Sequence, residues 1–486
     1  MKVGLRLLGA FVACMAGTAF GQVRYTLTDV GTLGGSSSWT SGLNVVGEAV
    51  GESYLSGDLA YHAYLYSGGN MTDLGTLGGA WSWAAGINAS GQVAGYAYNA
   101  TGQEHAFLYS SGSKNDLGTL GGLNSAAGGL NDLGEVVGYS NLATGVIHAF
   151  LYSGGKMQDL GSLGGAAARS EAMAVNASGQ IVGESETASG GYDAFLYSGG
   201  KLSDLGVLPG DAWSEAEGIN ASGQIVGSSG SGGTYHGFLY SGGTMLDLGT
   251  LGGDGCAAYG INASGQIVGS AQDSSDDWWG FLYENGTMAN LNGLLDSSGS
   301  GWTVVSCAAI SDSGQIAASA MNSDGYEHAV LLTPSSGFSG KVNLHDFSGD
   351  VTQISVTIEV RNPGTTTDLQ SQVVALASDG SFWVPCALTG TYDVAAKASH
   401  WLRQRVSGVT FNGGVVSGGV SFSLINGDVD GDNTINLADL VAMAKAWRST
   451  PGSSNWNVNA DVNGDGTVNL ADWMVVARNW RKSGDP

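Results

Sequence analysis

The sequence predicts an all-β chain with a small α-helical tail, and three observations carry that prediction. A motif of about 43 residues recurs seven times between residues 22 and 334. A stretch of alternating apolar and polar residues follows over 338–425, and a twelve-residue acidic loop then occurs twice before the C-terminus. Composition agrees: 82 of 486 residues are Gly and only 6 are Pro, which suits many short strands joined by tight turns.

The repeats come first because they set the architecture. "NASGQIVG" stands at Asn176–Gly183, Asn220–Gly227 and Asn262–Gly269, with a near copy at Asn88–Gly95. Its leading position recurs as Asn44, Asn88, Asn131, Asn176, Asn220, Asn262 and, altered, Ser311, at spacings of 44, 43, 45, 44, 42 and 49. Each unit also holds a "DLGTLGG"-like run (Asp29, Asp73, Asp116, Asp159, Asp204, Asp247, then Asn290) and a "HAFLYSGG"-like run. Apolar residues alternate between Gly-rich turns, so three or four strands fit per unit, the size of a propeller blade. The Asn can bond its own backbone at a turn, and the Gly three residues on accepts a left-handed conformation.

The ends suggest closure. A lone "DVGTLGG" at Asp29–Gly35 precedes the first full unit, and the last unit stops at His328–Pro334 without one. The first strand can therefore complete the last blade. The expected fold of 22–334 is a seven-bladed β-propeller, with a linear β-solenoid as the alternative. These motifs resemble the HAF repeats of exported bacterial proteins over about Tyr25–Pro334, a resemblance that implies no established reaction.

Residues repeated in every unit read as structure. His62, His105, His148, His236 and His328 give way to Asp193 and Trp279 in two copies, which breaks any ring of metal ligands. They are expected to be strand histidines satisfied by local hydrogen bonds, and the repeated Asp to cap turns. Binding is better sought where copies differ, between "LGG" and the leading Asn. That slot holds Trp39, Trp81, Trp83, Trp213 and Tyr259, together with Glu171, Asp211, Glu215, Glu217 and Asp254. Odd offsets from the Asn put the five aromatics on one face of an extended strand. Aromatic faces beside carboxylates suit sugar rings, so the candidate ligand site is Trp39, Trp81, Trp83, Trp213, Tyr259, Glu171 and Glu215. The alternative role for the aromatics is packing between blades. No nucleophile–base motif or phosphate loop occurs, so no catalytic residue is assigned. For an enzyme cleaving glycosidic bonds of a polysaccharide, the best carboxylate pair is Glu171 with Glu215 or Glu217.

From 338 to 425, strands such as "QISVTIEV" and "SGGVSFSLI" predict an Ig/CnaB-like β-sandwich. The segment resembles the carboxypeptidase-regulatory or CnaB-type modules of exported proteins. "DVDGDNTINLAD" (Asp428–Asp439) then recurs as "DVNGDGTVNLAD" (Asp461–Asp472). Oxygen ligands fall at loop positions 1, 3, 5, 9 and 12, with a backbone carbonyl at 7, the spacing that wraps a hard cation. In the first loop these are Asp428, Asp430, Asp432, Thr434, Asn436 and Asp439. In the second they are Asp461, Asn463, Asp465, Thr467, Asn469 and Asp472. Two Ca2+ ions are expected.

Each loop leads into a predicted helix, where Leu437, Leu440, Ala444 and Trp447 match Leu470, Trp473, Ala477 and Trp480. Paired loop–helix units without an entering helix resemble a type I dockerin over 426–482. That resemblance implies calcium-dependent folding and docking onto a cohesin-type module. Positions 10 and 11, often hydroxylated in dockerins, are Leu437–Ala438 and Leu470–Ala471 here, which leaves open another extracellular surface protein as partner. The pair could instead dock internally or onto the sandwich.

The start, "MKVGLRLLGAFVACMAGTAFGQ", has Lys2 and Arg6 before an apolar run, and reads as a signal peptide over 1–21. The apolar run is too short to span a membrane. A net charge of −25 speaks against nucleic acid. Cys256, Cys307 and Cys386 would remain after cleavage; Cys256 and Cys307 could pair, though separate buried thiols are the simpler reading. The expectation is a secreted or cell-surface, calcium-binding, non-catalytic binding or structural protein, with polysaccharide as a candidate ligand. The rival is a polysaccharide-degrading enzyme of glycoside hydrolase or lyase type.

Overall fold

Each repeat folds as a four-stranded antiparallel sheet in the computed structural model, which describes residues 23–412, 416 and 419–486. The signal-peptide reading at 1–21 falls outside these residues. The second sheet is typical: Gly78–Ile87, Val93–Asn99, Glu104–Ser110 and Ser113–Asp116 pair in sequence order. Among the described residues of Tyr25–Pro334, seven such sheets occur. The seventh is assembled from both ends of the unit, since the strand Arg24–Gly31 pairs with Glu327–Ser335. Every sheet packs on the next, and the strand Gly34–Leu43 of the first packs on Thr303–Ile310 and Ile316–Met321 of the seventh.

The repeated sequence explains this packing. The Phe of "HAFLY" is fully buried at Phe107, Phe150, Phe195, Phe238 and Phe281, and the Ala before it is buried at Ala63, Ala106, Ala149, Ala194 and Ala329. The N–H of each of those alanines donates to a serine on the following sheet, as Ala106 does to Ser125 Oγ at 2.9 Å and Ala329 to Ser38 Oγ at 3.0 Å. Two sheets depart from this in a matched way. Gly237 and Gly280 replace the Ala, and a Cβ on either would collide with the sulfur of Cys256 or Cys307. These cysteines are buried and free, as is Cys386.

The turn "NASG" does two jobs. Asn88 Oδ1 accepts the N–H groups of Ser90 and Gln92, which builds the turn, and Gly91 takes φ +76°. Asn88 Nδ2 also donates to the carbonyl of Asn131 in the next sheet at 3.1 Å. The same bond links Asn44 to Asn88, Asn131 to Asn176, Asn176 to Asn220, Asn220 to Asn262 and Asn262 to Ser311. Only the first of these links, within the turn, is legible from one copy. The closing Gly has a different reason: a Cβ on Gly95 would overlap the Trp83 carbonyl of the neighbouring strand.

The repeated His and Asp turn out to be each other's partners. His62 Nδ1 meets Asp73 at 2.9 Å, His105 meets Asp116 at 2.8 Å and His148 meets Asp159 at 2.8 Å, each across the outer two strands of one sheet. His328 pairs with Asp29 at 3.1 Å and so joins the two ends of the repeat region. His236 turns to Asp211 instead, and Trp279 donates to Asp273.

The second unit is built mainly from Ser335–Pro486. A three-stranded sheet ordered Ser381–Pro385, Gly337–Leu344, Val420–Leu424 and a four-stranded sheet ordered Asp368–Ala375, Ser355–Arg361, Gly390–Ala398, Gln404–Phe411 share one core. Phe338, Phe382, Phe411, Phe422 and Trp401 fill it. Two short helices close the chain: α1 (Leu437–Lys445) and α2 (Leu470–Arg478). Val429, Ile435, Met443, Val462, Val468 and Val476 form their separate small core. No helix among the described residues is long and apolar enough to cross a membrane.

Candidate functional site

Two places gather unsatisfied chemistry. The first is a cavity of about 790 Å³, within the range of small-ligand sites, lined by the first strands of all seven repeat sheets. At one matched level those strands and their neighbours carry facing pairs: Trp39 with Glu52, Trp83 with Tyr96, Ala126 with Tyr139, Glu171 with Glu184 and Glu215 with Ser228. The last two sheets carry only small residues there, Ala257 with Ser270 and Ser306 with Ser319. The repeat scaffold is thus regular while its wall is lopsided.

Of the predicted ligand residues, Trp83, Tyr259 and Glu171 line this cavity. Trp39, Trp81, Trp213 and Glu215 do not. Trp39 and Trp83 hold the same place in their strands and only the second lines the cavity, while Trp81 and Trp213 lie nearer the strand start. Their rings pack edge-on against Tyr98 and Tyr235 at 5.5 Å. Nor are all the aromatics lost between sheets, since Trp81 is 40% and Trp83 37% exposed. Trp83 is held by its Nε1–H, which donates to Ser41 Oγ at 2.7 Å.

Sequence reading missed Tyr96, Glu104 and Tyr139, which line the cavity, and Glu52 and Glu184, which face Trp39 and Glu171 across their strand pairs. Four of these follow the closing Gly of "NASGQIVG"-like runs, where the copies read Glu, Tyr, Tyr, Glu and then Ser three times. Tyr139 Oη donates to Glu104 Oε1 at 2.7 Å, tying the third sheet to the second. Arg169 pairs with Glu171. Burial pushes Glu184 up to about 7, helped by Glu171 and Glu215, and pushes Glu217 up to about 8, helped by Glu215 and Glu184. Burial alone raises Glu52 to about 7. Carboxyls of this kind are held near neutral pH, ready to donate as acids or to accept a positive charge.

The second place is the pair of acidic loops. Asp428, Asp430 and Asp432 bring carboxylate oxygens within 4.8 Å of one another. Asp439 closes its loop by accepting the N–H groups of Val429 at 2.7 Å and Asn436 at 2.7 Å, and Asp472 accepts those of Asn463 at 3.1 Å and Asn469 at 2.8 Å. Asn436 and Asn469 cap α1 and α2, so one loop residue serves both the turn and the helix start. Thr434 N–H donates to Asp432 Oδ1 and Thr467 N–H to Asp465 Oδ1. Asp461 accepts the Gly466 N–H at 2.9 Å. Position 6 has a left-handed backbone in both loops, Asn433 at φ +69° and Gly466 at +85°.

Asp428, Asp439 and Asp472 are fully buried. Burial raises Asp430, with Asp439 and Asp432 adding to it, and burial raises Asp461 and Asp472 as well. Buried, crowded carboxylates are costly unless a cation joins them, so the donor set fits a hard divalent ion. One ammonium is already present: Lys397 of the sandwich reaches Asp428 Oδ2 at 2.8 Å.

The loops are also braced on the sandwich. Ser348 N–H donates to the Asn463 carbonyl at 2.9 Å, and Asn426 Nδ2 to those of His345 at 3.2 Å and Val462 at 2.6 Å. Asn433 Nδ2 donates to the Asp485 carbonyl at 2.7 Å, while the Asp485 carboxylate meets Arg361 at 3.3 Å and Arg405 at 3.0 Å. Meanwhile Leu437, Val441, Leu470 and Met474 stand exposed on the helices.

Comparisons with known proteins bear on this tail. Residues 426–479 match the family model of the dockerin type I domain. No curated protein matches the chain. A type II cohesin–X-dockerin complex from Acetivibrio cellulolyticus is 24% identical, covering 30% of this chain and 96% of that one, at TM-score 0.25. TolB from Acinetobacter baumannii is 12% identical over 59% and 63% of the two chains, TM-score 0.35. A variant of the Aleuria aurantia lectin in complex with Fucα1-6GlcNAc is 15% identical over 53% and 96%, TM-score 0.31. The family match is thus confined to 426–479, the segment that holds the two acidic loops and their helices.

Proposed function

We propose that this is an exported, calcium-binding, non-catalytic binding protein, attached by its dockerin domain to an extracellular complex through a cohesin-type module. One observation carries the reading: the duplicated loop–helix tail, in which the carboxylates of Asp428, Asp430 and Asp432 converge at ligand spacing within a dockerin type I match. Asp428, Asp430, Asp432, Asn436 and Asp439, with the Thr434 carbonyl, would hold one Ca2+. Asp461, Asn463, Asp465, Asn469 and Asp472, with the Thr467 carbonyl, would hold the other. The ions would neutralise buried charge and lock each loop on its helix. The exposed Leu437, Val441, Leu470 and Met474 offer the apolar face that a partner would cover.

The repeats, on this reading, form a seven-bladed β-propeller spanning 22–334, followed by a sandwich at 338–425. The pairing of Arg24–Gly31 with the last strand supports a closed ring over a linear stack. The ring would present its lopsided cavity to a ligand, and carbohydrate suits the mix of aromatic and acidic walls. A second reading, a polysaccharide-cleaving enzyme, draws on the raised Glu184 and Glu217.

Calcium titration of the full chain by calorimetry tests the first reading. Two bound ions per chain and retention on an immobilised cohesin only with calcium are expected. Absence of calcium binding overturns it. Release of reducing ends from a polysaccharide, abolished by Glu184→Gln, would favour the enzyme instead.

A further inference from the structure

The cavity wall is most acidic at the fourth and fifth repeat sheets, and its charge has little to answer it. Glu171 and Glu184 face each other across the first two strands of the fourth sheet. Glu215 and Glu217 come from the strand Trp213–Ile219 of the fifth; of these four, Glu171 and Glu217 line the cavity, and Glu184 and Glu215 lie close enough to act on Glu217. Arg169 pairs with Glu171, yet no Lys, Arg or His is among the residues lining the cavity.

Two alternatives for this cluster are weaker. A hard cation needs oxygens within a few ångströms of each other, and among the described residues only Asp428, Asp430 and Asp432 meet that condition. A neutral sugar would leave Glu217 and its neighbours Glu184 and Glu215 without a countercharge. Aromatic surface is available beside them: Trp83, Tyr96, Tyr139 and Tyr259 line the same cavity. Such surface takes the C–H face of a sugar ring, and an ammonium on that ring reaches both carboxylate and π-face.

We propose that this cavity binds an amino sugar oligosaccharide, with its free ammonium groups at Glu171 and Glu217, beside which Glu184 and Glu215 add negative charge, and its rings against Trp83 and Tyr259. This rests on the carbohydrate reading above and narrows it to a cationic class. A cationic ligand also suits the burial of Glu184 and Glu217, because its charge restores their ionised form.

The test is calorimetry on the full chain in calcium, with four probes: glucosamine tetramer, its fully N-acetylated form, cellotetraose and spermidine. The glucosamine tetramer is expected to bind at least about tenfold more tightly than either neutral sugar. Glu217→Gln and Glu184→Gln are expected to weaken it about tenfold each while the repeat region melts unchanged or higher. Trp83→Ala should weaken it too, with Trp81→Ala without effect. Equal binding of the three sugars overturns the cationic class and leaves the carbohydrate reading standing. Binding of spermidine alone overturns the carbohydrate reading, and binding of none overturns both. Should the Glu variants fold poorly, Tyr259→Ala probes the same lining, and undiminished binding of the glucosamine tetramer then overturns the proposal.

Discussion

The repeat region and the dockerin loops are both built by duplication, yet identity between copies means different things in each. In the repeats, the verbatim residues are Asn, Gly, Phe and Ala, and they make turns, close approaches and core. In the loops, Asp and Asn recur at ligand spacing, and in the first of them Asp428, Asp430 and Asp432 bring their carboxylate oxygens together. The physical difference lies in whether the repeated polar atoms find partners within the protein. Asn131 does so four times over, donating to Glu135 and the Asn176 carbonyl and accepting from Leu133 and Glu135. Repetition with satisfied atoms is scaffold; repetition with crowded, like-charged atoms is a site.

Removing calcium should separate the two regions most widely. At calcium a hundredfold above Kd, each bound ion adds about 2.7 kcal/mol. Differential scanning calorimetry of the full chain should show EDTA lowering the transition of Ser335–Pro486 and leaving that of Tyr25–Pro334 in place. A shift of both would erase the contrast. Next comes Asn131→Ala, which removes a turn and an inter-sheet bond and is expected to cost the repeat region about 2–3 kcal/mol in urea unfolding.

The wall of the cavity should respond to pH instead. Glu217 has a folded pKa of about 8, above the ordinary value near 4.3 of the unfolded chain. Below pH 4 it is protonated in both states and carries no penalty. As pH rises toward 8, the unfolded chain ionises first and stability is lost. Glu217→Gln should therefore stabilise the repeat region by roughly 1–3 kcal/mol at pH 8 and by nothing measurable at pH 4. The smallest effect comes from the irregular copy. Ser311 lacks the amide that would continue the inter-sheet bonds. Ser311→Asn should add about 1 kcal/mol, read as a higher melting temperature.

Much of this was legible beforehand. The strand pattern, the turn chemistry of "NASG" and the ligand spacing of the two loops are local, set within a dozen residues by backbone geometry. Even so, the histidines and aspartates of neighbouring runs looked like independent features; their pairing needs the hairpin that puts His105 beside Asp116. Of the aromatic slot, Trp83 and Tyr259 line the cavity, while Trp81 and Trp213 pack edge-on against Tyr98 and Tyr235 of their own sheets, a placement that depends on the neighbouring strands.

By itself, the sequence determined the repeat, its strands and turns, and the acidic loops, because each depends on periodicity or spacing along the chain. Tertiary structure decided which copies share a wall. Glu184 and Glu217 are 33 positions apart in the chain and lie in different repeats, and only packing of one sheet on the next brings their charges within reach. It also decided that the first acidic loop leans on Lys397 and Asp485, partners set by the sandwich and the chain's last residues. Burial supplies the reason in both cases: a carboxyl's chemistry follows from what surrounds it, and its neighbours here come from distant segments.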